Sequence, residues 1–292
     1  MLRSNLIGTF VAAAALSGGV AVAEPTWVEL EPPEVKLLDP GEGPRAELRY
    51  RFPAGDVQTV RRVQGYELEA KLPLGAGERD AGQVIMEFTL ESVPRTGDAP
   101  IEVEARLVSL EGPRGAGEGL EADGRIRFDD RGRAVAVRWN QTPASAEPAM
   151  VMLQRFQTRA EGVATPLPEE PVGVGARWQV RQLVEQGTGR FVMLADCRLV
   201  ADTADGLDIE CRFGHETDGA TYTLGAGKGA RTVELKESQV DGKALVMQPT
   251  DRLAPLREDG DLHTFVKAKA KRGLLRIKVT VDTSERWQQV GD

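Results

Sequence analysis

Apolar and polar residues alternate with a period of two along most of this chain, and this alternation restricts its fold more than any motif does. The stretch 66–72, for example, reads YELEAKL. Successive side chains of a strand point to opposite faces of a sheet, so such segments form strands with one buried face. The pattern recurs at 48–52, 84–90 and 101–107, and again in segments between 178 and 247. It predicts a mainly β protein built of antiparallel meander sheets.

Glycine-rich breaks separate these segments, as expected for many tight turns, since glycine supplies 32 of the 292 residues. In RIRFDDRGRAVAVRW, a two-residue turn at Arg131-Gly132 would set Ile126 opposite Val137 and Phe128 opposite Val135. All four apolar residues would then share one face.

A second hairpin of the same kind closes the sequence, in FVKAKAKRGLLRIKVTVD. A turn at Arg272-Gly273 sets the apolar positions of 266–270 against those of 275–279. The chain therefore divides into two similar β halves, 44–140 and 174–292, which indicates an internal duplication. We expect them to form a curved sheet or an open barrel.

The segment between the halves, 141–173, breaks the period of two. From Ala149 to Ala160 the apolar residues fall at helical spacing, with Ser145 before them and Gly162 after. This pattern predicts one amphipathic helix, followed by a proline-rich connector.

The first 23 residues carry a cation, Arg3, then an apolar run and a small-residue end at Ala21-Val22-Ala23. These features are typical of a secretory signal peptide and predict a periplasmic or secreted protein. Residues 24–43 combine prolines with acids, which favours an extended, poorly paired N-terminal arm. No later apolar run is long enough for a transmembrane anchor.

The net charge of −8 makes nucleic acid an improbable partner for the surface as a whole. A local exception is the final hairpin, where cations alternate with apolar residues. These cations are Lys267, Lys269, Lys271, Arg276 and Lys278. They fit either an anionic envelope partner or protection of an exposed sheet edge against aggregation.

Cys197 and Cys211 lie symmetrically about Ala204, beside a turn signal at Asp205-Gly206. A hairpin in that register pairs the two cysteines, and an exported chain meets oxidising conditions, so we predict a disulfide. Buried free thiols and a zinc site that adds His215 are the alternatives.

The run PEEPVGVGARW, from Pro168 to Trp178, has two glycines of a dinucleotide-binding loop but lacks the third glycine and is followed by a strand pattern. We interpret Gly173 and Gly175 as a turn that brings Trp178 into the core, and we predict no cofactor. The Pro-x-x-Pro-Val-Gly-Val-Gly-x-x-Trp pattern resembles a central connector found in exported bacterial β-rich families of unknown function. The layout is also loosely similar to the open-barrel lipoprotein carriers. The resemblance implies no activity and assigns no functional residue.

No convergent catalytic motif is visible. GAGKGA at 225–230 departs from a P-loop at two positions, and the only histidines are His215 and His263. Carboxylate pairs at Asp129-Asp130, at Glu169-Glu170, and at Glu102 with Glu104 leave a carboxylate-based hydrolase as one alternative. A structural or interaction module of the cell envelope is the other. Our leading hypothesis is a non-catalytic envelope protein that binds a partner or an apolar ligand in a groove of its curved sheets.

Overall fold

The computed structural model describes most of the chain from residue 26 onward. The described residues are 26–71, 77–93, 100–112, 120–140, 156–186, 189–216, 221–224, 231–272 and 275–291. The predicted signal peptide, 1–23, and the beginning of the predicted helix, 145–155, lie outside them.

The described chain is mainly β, as the alternation predicted, with one short helix, α1, at 156–161. The strands are β1 Val28–Glu29, β2 Glu34–Asp39, β3 Glu42–Ala46, β4 Val57–Lys71, β5 Gly77–Ser92, β6 Ile101–Glu111, β7 Asp123–Phe128, β8 Ala134–Trp139, β9 Val172–Val174, β10 Arg177–Gln186, β11 Gly189–Thr203, β12 Gly206–Glu216, β13 Thr221–Leu224, β14 Arg231–Gln248, β15 Arg257–Arg272 and β16 Leu275–Gly291.

Fourteen of the described strands form one antiparallel sheet that joins both sequence halves. From one edge its order is β1-β8-β7-β6-β5-β4-β16-β15-β14-β12-β11-β10-β2, with β13 paired to β14. The first long strand, β4, therefore pairs with the last, β16, as in Val60 opposite Gly291. The chain meanders around a sheet that remains open between β8 and β10.

The N-terminal arm is not poorly paired, so the expectation from its prolines was wrong. Val28 lies opposite Val137 on β8, and Val35 lies opposite Val180 on β10. Only the residues between Glu29 and Glu34 connect these two pairings, and five extended residues span roughly 18 Å at most. The two edges of the large sheet consequently lie close together, and the arm is bonded to both.

The first predicted hairpin forms with one local difference. Ile126 lies opposite Val137 as predicted, but a bulge places Phe128 opposite Ala134 and leaves Val135 half-buried. The bulge follows from the turn, which is longer than two residues: the Gly132 N–H donates to Asp129 O, and Gly132 has a φ of 77°. A left-handed glycine after a tight turn is the pattern of a bulged hairpin.

The final hairpin pairs two residues out of the predicted register. Ala268 lies opposite Val279 and Ala270 opposite Ile277, and Arg272 pairs with Leu275. Arg272 is therefore paired within the hairpin instead of lying in the turn, and residues 273–274 lie outside the described residues. After a shift of two, Ala268 and Ala270 still lie opposite apolar residues, whereas Leu275 lies opposite Arg272.

The core lies on one face of the sheet, where α1 and two connecting segments cover it. Phe156 on α1 is fully buried and packs edge-to-face on Phe88 and Trp139, at centroid distances of 5.8 Å and 5.4 Å. The described end of the predicted helix, 156–161, is thus helical and packs into the core. We call this covered face of the sheet the inner face.

The Pro/Gly connector enters this core as predicted. Gly173 leaves no room for a side chain, because a Cβ there would lie 2.2 Å from Glu42 O. Gly175 has a φ of 85° and turns the chain into β10. Trp178 then lies fully buried, and its Nε1 donates to Pro166 O at 3.0 Å. A strand, and no helix, follows Trp178.

Candidate ligand-binding face

Along the long strands, the side chains of the inner face change from fully buried to half-buried. Residues near one end of the strands, such as Val60, Phe88 and Ile209, are almost completely buried. Strands β4, β5, β14, β15 and β16, each of 15 to 18 residues, continue beyond that level. A candidate site therefore lies where the filled core ends and the inner face continues.

Half-buried apolar side chains mark this boundary on either side of Glu285, which lies opposite both Leu262 and Tyr66, and we call these apolar side chains the rim. It consists of Tyr66, Leu262, Phe213 and Ala195, all packed against the core cluster. Ala195 lies opposite Phe213, and Gly242 lies between Phe213 and Leu262. A Cβ at Gly242 would lie 2.8 Å from Leu262 Cδ1. Glycine at this position therefore leaves room for the Leu262 side chain.

Further half-buried residues continue the inner face beyond the rim. They are Met193, His215, Val240 and Thr264. His215 lies opposite Met193, and Val240 lies opposite Thr264. Burial lowers the pKa of His215, which favours the neutral imidazole. His215 therefore adds no positive charge to this end of the inner face at neutral pH.

An ionic cluster lies below the rim, on the core side. Glu258 on β15 is 7% exposed and pairs with Arg159 on α1 and with Arg62 on β4, the latter at 3.5 Å. These residues come from the first half, the helix and the second half of the chain. Because an uncompensated buried charge is costly, the cluster ties the three parts together.

Beyond the rim the register aligns apolar residues of four neighbouring strands. We call these positions the apolar rows: Leu68, Ala70, Val233, Leu235, Val266, Ala268, Ala270, Ile277, Val279 and Val281. Val281 lies opposite both Ala70 and Val266, and Ala268 lies opposite both Leu235 and Val279. Along β4 and β15 these positions follow Tyr66 and Leu262 at intervals of two residues.

The predicted cysteine pair forms directly across strands β11 and β12. Cys197 lies opposite Cys211, both are buried, and their sulfur atoms are at disulfide distance, 2.01 Å. Because each sulfur has the other as its partner, the zinc alternative with His215 loses two of its ligands. The hairpin turn lies at Ala204-Asp205, with Thr203 opposite Gly206.

The carboxylates considered for hydrolysis lie among arginines. Glu102 contacts Arg125 at 2.9 Å and Arg127 at 3.3 Å, and Glu104 contacts Arg106 at 3.0 Å. Asp129 and Asp130 contact Arg133 and Arg49, respectively, and Glu169 contacts Arg133. The acids at 102 and 104 belong to a charged ladder on the outer face of β6 and β7.

A polar depression of about 180 Å³ lies beside this ladder. It is lined by Glu104, Asp123, Gly124, Arg125, Arg138 and Asn140. At the same surface, the Trp27 ring of the arm lies between two guanidiniums, 3.8 Å from Arg127 and 5.1 Å from Arg138. These contacts attach the arm to the outer face by cation–π attraction.

The cations of the final hairpin occupy interior strands of the sheet. We call Lys267, Lys269, Lys271, Arg276 and Lys278 the cationic tip. Strand β15 pairs with β14 and β16, and β16 pairs with β15 and β4. Protection of a sheet edge was therefore the wrong interpretation of these residues, because neither strand is an edge.

One buried side chain that organises the structure was missed from the sequence, where Arg131 looked like an ordinary turn residue. Its guanidinium is buried and donates to Leu48 O and Pro168 O, both at 2.6 Å, and to Glu169 O at 2.7 Å. It thus holds the connector against the first hairpin. Only the neighbouring glycine gave a sequence signal, and that signal indicated the turn alone.

Comparison with protein-family models, with curated proteins and with solved structures finds no match to this chain. Within the described residues, no helix has the length and apolar character needed to cross a membrane. The same residues contain no cluster of three or more His, Cys, Asp or Glu that could hold a metal ion.

Proposed function

We propose that this chain is a non-catalytic protein of the cell envelope that binds an apolar ligand on the inner face of its curved sheet. The observation that carries the proposal is the rim. Tyr66, Leu262 and Phe213 are half-buried at the level where the packed core ends, and the register continues the same face into the apolar rows. An apolar surface of this kind gains free energy when a ligand removes it from water.

The location rests on the signal-like segment 1–23, which predicts export. The non-catalytic character is supported by the arginines around the acids at 102, 104, 129 and 130. A general acid or base needs a carboxyl that can exchange protons with substrate, and a bound guanidinium competes for that role. The rim, by contrast, consists of apolar side chains.

Binding of N-phenyl-1-naphthylamine, a neutral apolar dye, tests the proposal. We expect the native chain to bind it with a blue-shifted emission, and Phe213→Asp to weaken binding about tenfold by placing a charge in the rim. Val200→Asp is the matched control, because Val200 is 45% exposed and lies away from the rim. Equal dye binding by the native chain and Phe213→Asp would contradict the proposal.

Native mass spectrometry and organic extraction of the purified chain identify the natural ligand. We expect a co-purifying apolar molecule that Phe213→Asp loses and Val200→Asp retains. A chain that carries no extractable molecule and binds no dye would instead support a purely structural or interaction role.

A further inference from the structure

Two arginines lie directly opposite each other in the polar depression on the outer face of the sheet. Arg125 of β7 lies opposite Arg138 of β8, and both residues line the depression. Like charges directly opposite one another in an antiparallel sheet destabilise it. This arrangement is therefore unfavourable unless acceptors surround both guanidiniums.

The protein supplies carboxylate acceptors to one arginine of this pair, Arg125. Its Nη1 donates to Glu102 Oε1 at 2.9 Å, and its Nη2 lies 3.9 Å from Glu104 Oε2. For half-buried Arg138, the described part of the chain provides the Trp27 ring, 5.1 Å away, and no hydrogen bond or ion pair. The planar fork of N–H donors on Arg138 is therefore available to a ligand in the depression.

The remaining lining restricts the charge of such a ligand. Glu104 and Asp123 also line the depression, with Gly124 and Asn140. Glu104 accepts a hydrogen bond from Arg106 at 3.0 Å, and Asp123 accepts one from Asn140 Nδ2. An ionised carboxyl has about four acceptor sites, so both acids can accept further bonds from a ligand. Two carboxylates repel a phosphate or a polyanion, and they favour a ligand that presents donors beside a single negative charge.

The size of the depression restricts the ligand as well. Its volume of about 180 Å³ is below the roughly 300 Å³ at which pockets for drug-sized molecules begin. The ligand that fits is therefore a small polar molecule, or one end of a larger one.

We propose that the depression binds a small organic acid, whose single carboxylate pairs with Arg138 and whose hydroxyl or ammonium groups donate to Asp123 and Glu104. A carboxylate matches the guanidinium because the two groups form parallel hydrogen bonds. Sugar acids and amino acids share this chemistry. The site lies on the outer face, so it is independent of whether the inner face binds an apolar ligand.

Ligand-observed NMR titration of the full chain with four probes tests the proposal. Glucuronate and free alanine carry a carboxylate beside donors, acetate carries the carboxylate alone, and glucose carries the donors alone. We expect glucuronate or alanine to bind about tenfold more tightly than acetate and glucose, because each of these two lacks one half of the contacts. Preference for glucuronate would identify a sugar acid as the ligand, and preference for alanine an amino acid.

Arg138→Gln should weaken binding of the preferred probe about tenfold, since it removes a charged donor. The matched control is Arg198→Gln, because Arg198 is exposed and lies opposite Arg177 in a second cross-strand arginine pair away from the depression. This control should bind the probe as the native chain does. Arg138→Lys keeps the charge without the planar fork, and its affinity should fall between those of the native chain and Arg138→Gln. Circular dichroism of each variant verifies that the sheet is folded.

Three outcomes overturn the proposal. The first is that neither glucuronate nor alanine binds the native chain more tightly than acetate and glucose do. The second is equal weakening of binding by Arg138→Gln and Arg198→Gln. The third is displacement of the preferred probe by an equal concentration of inorganic phosphate, which would show that the depression selects negative charge and not a carboxylate with donors.

Discussion

At the scale of single residues, Glu161 and Arg131 show how polar groups hold α1 and the connector in place. Glu161 accepts a hydrogen bond from Trp139 Nε1 at 2.8 Å, next to the packed ring of Phe156. Burial raises the pKa of Glu161 above its ordinary 4.5, and the hydrogen bond from Trp139 opposes this rise. The carboxylate thus carries a desolvation cost at neutral pH.

The sign of that cost predicts the pH response of a variant. A carboxyl with a raised folded pKa contributes its full stability below the unfolded value, and the contribution is lost as the pH rises through the folded pKa. Glu161→Gln keeps an acceptor for Trp139 without the charge. We expect it to unfold at a higher temperature than the native chain at pH 7, with the difference vanishing toward pH 4.

Thermal unfolding followed by circular dichroism across this pH range measures the effect. Glu170→Gln, at an exposed position, serves as the control and should follow the native chain throughout. A difference between Glu161→Gln and the native chain that does not change with pH would refute the linkage.

Replacing Arg131 tests the organising role of its guanidinium. Arg131→Met leaves three carbonyls, those of Leu48, Pro168 and Glu169, without their donor. We expect a loss of about 3 kcal/mol in the free energy of unfolding by urea, because hydrogen bonds to a buried charge are worth more than neutral ones. Arg177→Met, at an exposed site on β10, should cost far less; comparable losses would disprove the role.

At the scale of elements, helix α1 and the Cys197–Cys211 hairpin contribute separately to the stability of the fold. Phe156→Ala should cost about 3–5 kcal/mol, since it removes a fully buried ring that contacts Phe88 and Trp139. Thr158→Ala, at an exposed position of the same helix, is the control. Urea unfolding of both variants measures the difference, and similar values for the two would argue against burial of the helix.

Removal of the cysteine pair should cost less than removal of the ring. The two cysteines are separated by 14 residues, and closing so short a loop stabilises a protein by about 3 kcal/mol at most. We expect Cys197→Ala with Cys211→Ala to remain folded and to unfold at a lower temperature than the native chain. A reducing agent should lower the unfolding temperature of the native chain toward that of the double variant and leave the variant unchanged.

At the scale of the whole molecule, the arm is the part that pairs with both sides of the open sheet. It pairs with β8 through Val28 and with β10 through Val35, and Trp27 stacks on Arg127. Deleting residues 24–33 would expose the edge of β8, and an unpaired edge is a template for another chain. We expect concentration-dependent self-association of the deletion variant in sedimentation velocity. Trp27→Ala, which keeps the backbone pairing, should remain in the state of the native chain.

How much of this could be read from the sequence depends on the range of the interaction. The strand pattern, the Cys197–Cys211 pair and the burial of Trp178 follow from local spacing, so they were predictable. The bulge before Ala134 depends on turn geometry that Arg131-Gly132 did not specify. The pairing of the arm joins Val35 to Val180, far apart in sequence, and a proline-rich composition contains no information about such a partner.

The rim and the cationic tip illustrate the same limit. The alternation placed Phe213 in a strand, but only the strand order shows that it lies with Leu262 where the packed core ends. Likewise, the lysines of β15 were visible in the sequence, whereas their place in the interior of the sheet follows from the pairing of β16 with β4.

The pairing of β4 with β16 has a consequence for how the molecule is made. Synthesis produces β4 long before β16, so one side of β4 stays unpaired until β16 has been made. Until β16 is made, the sheet is incomplete. A truncated product would present the unpaired edge of a long strand to neighbouring molecules.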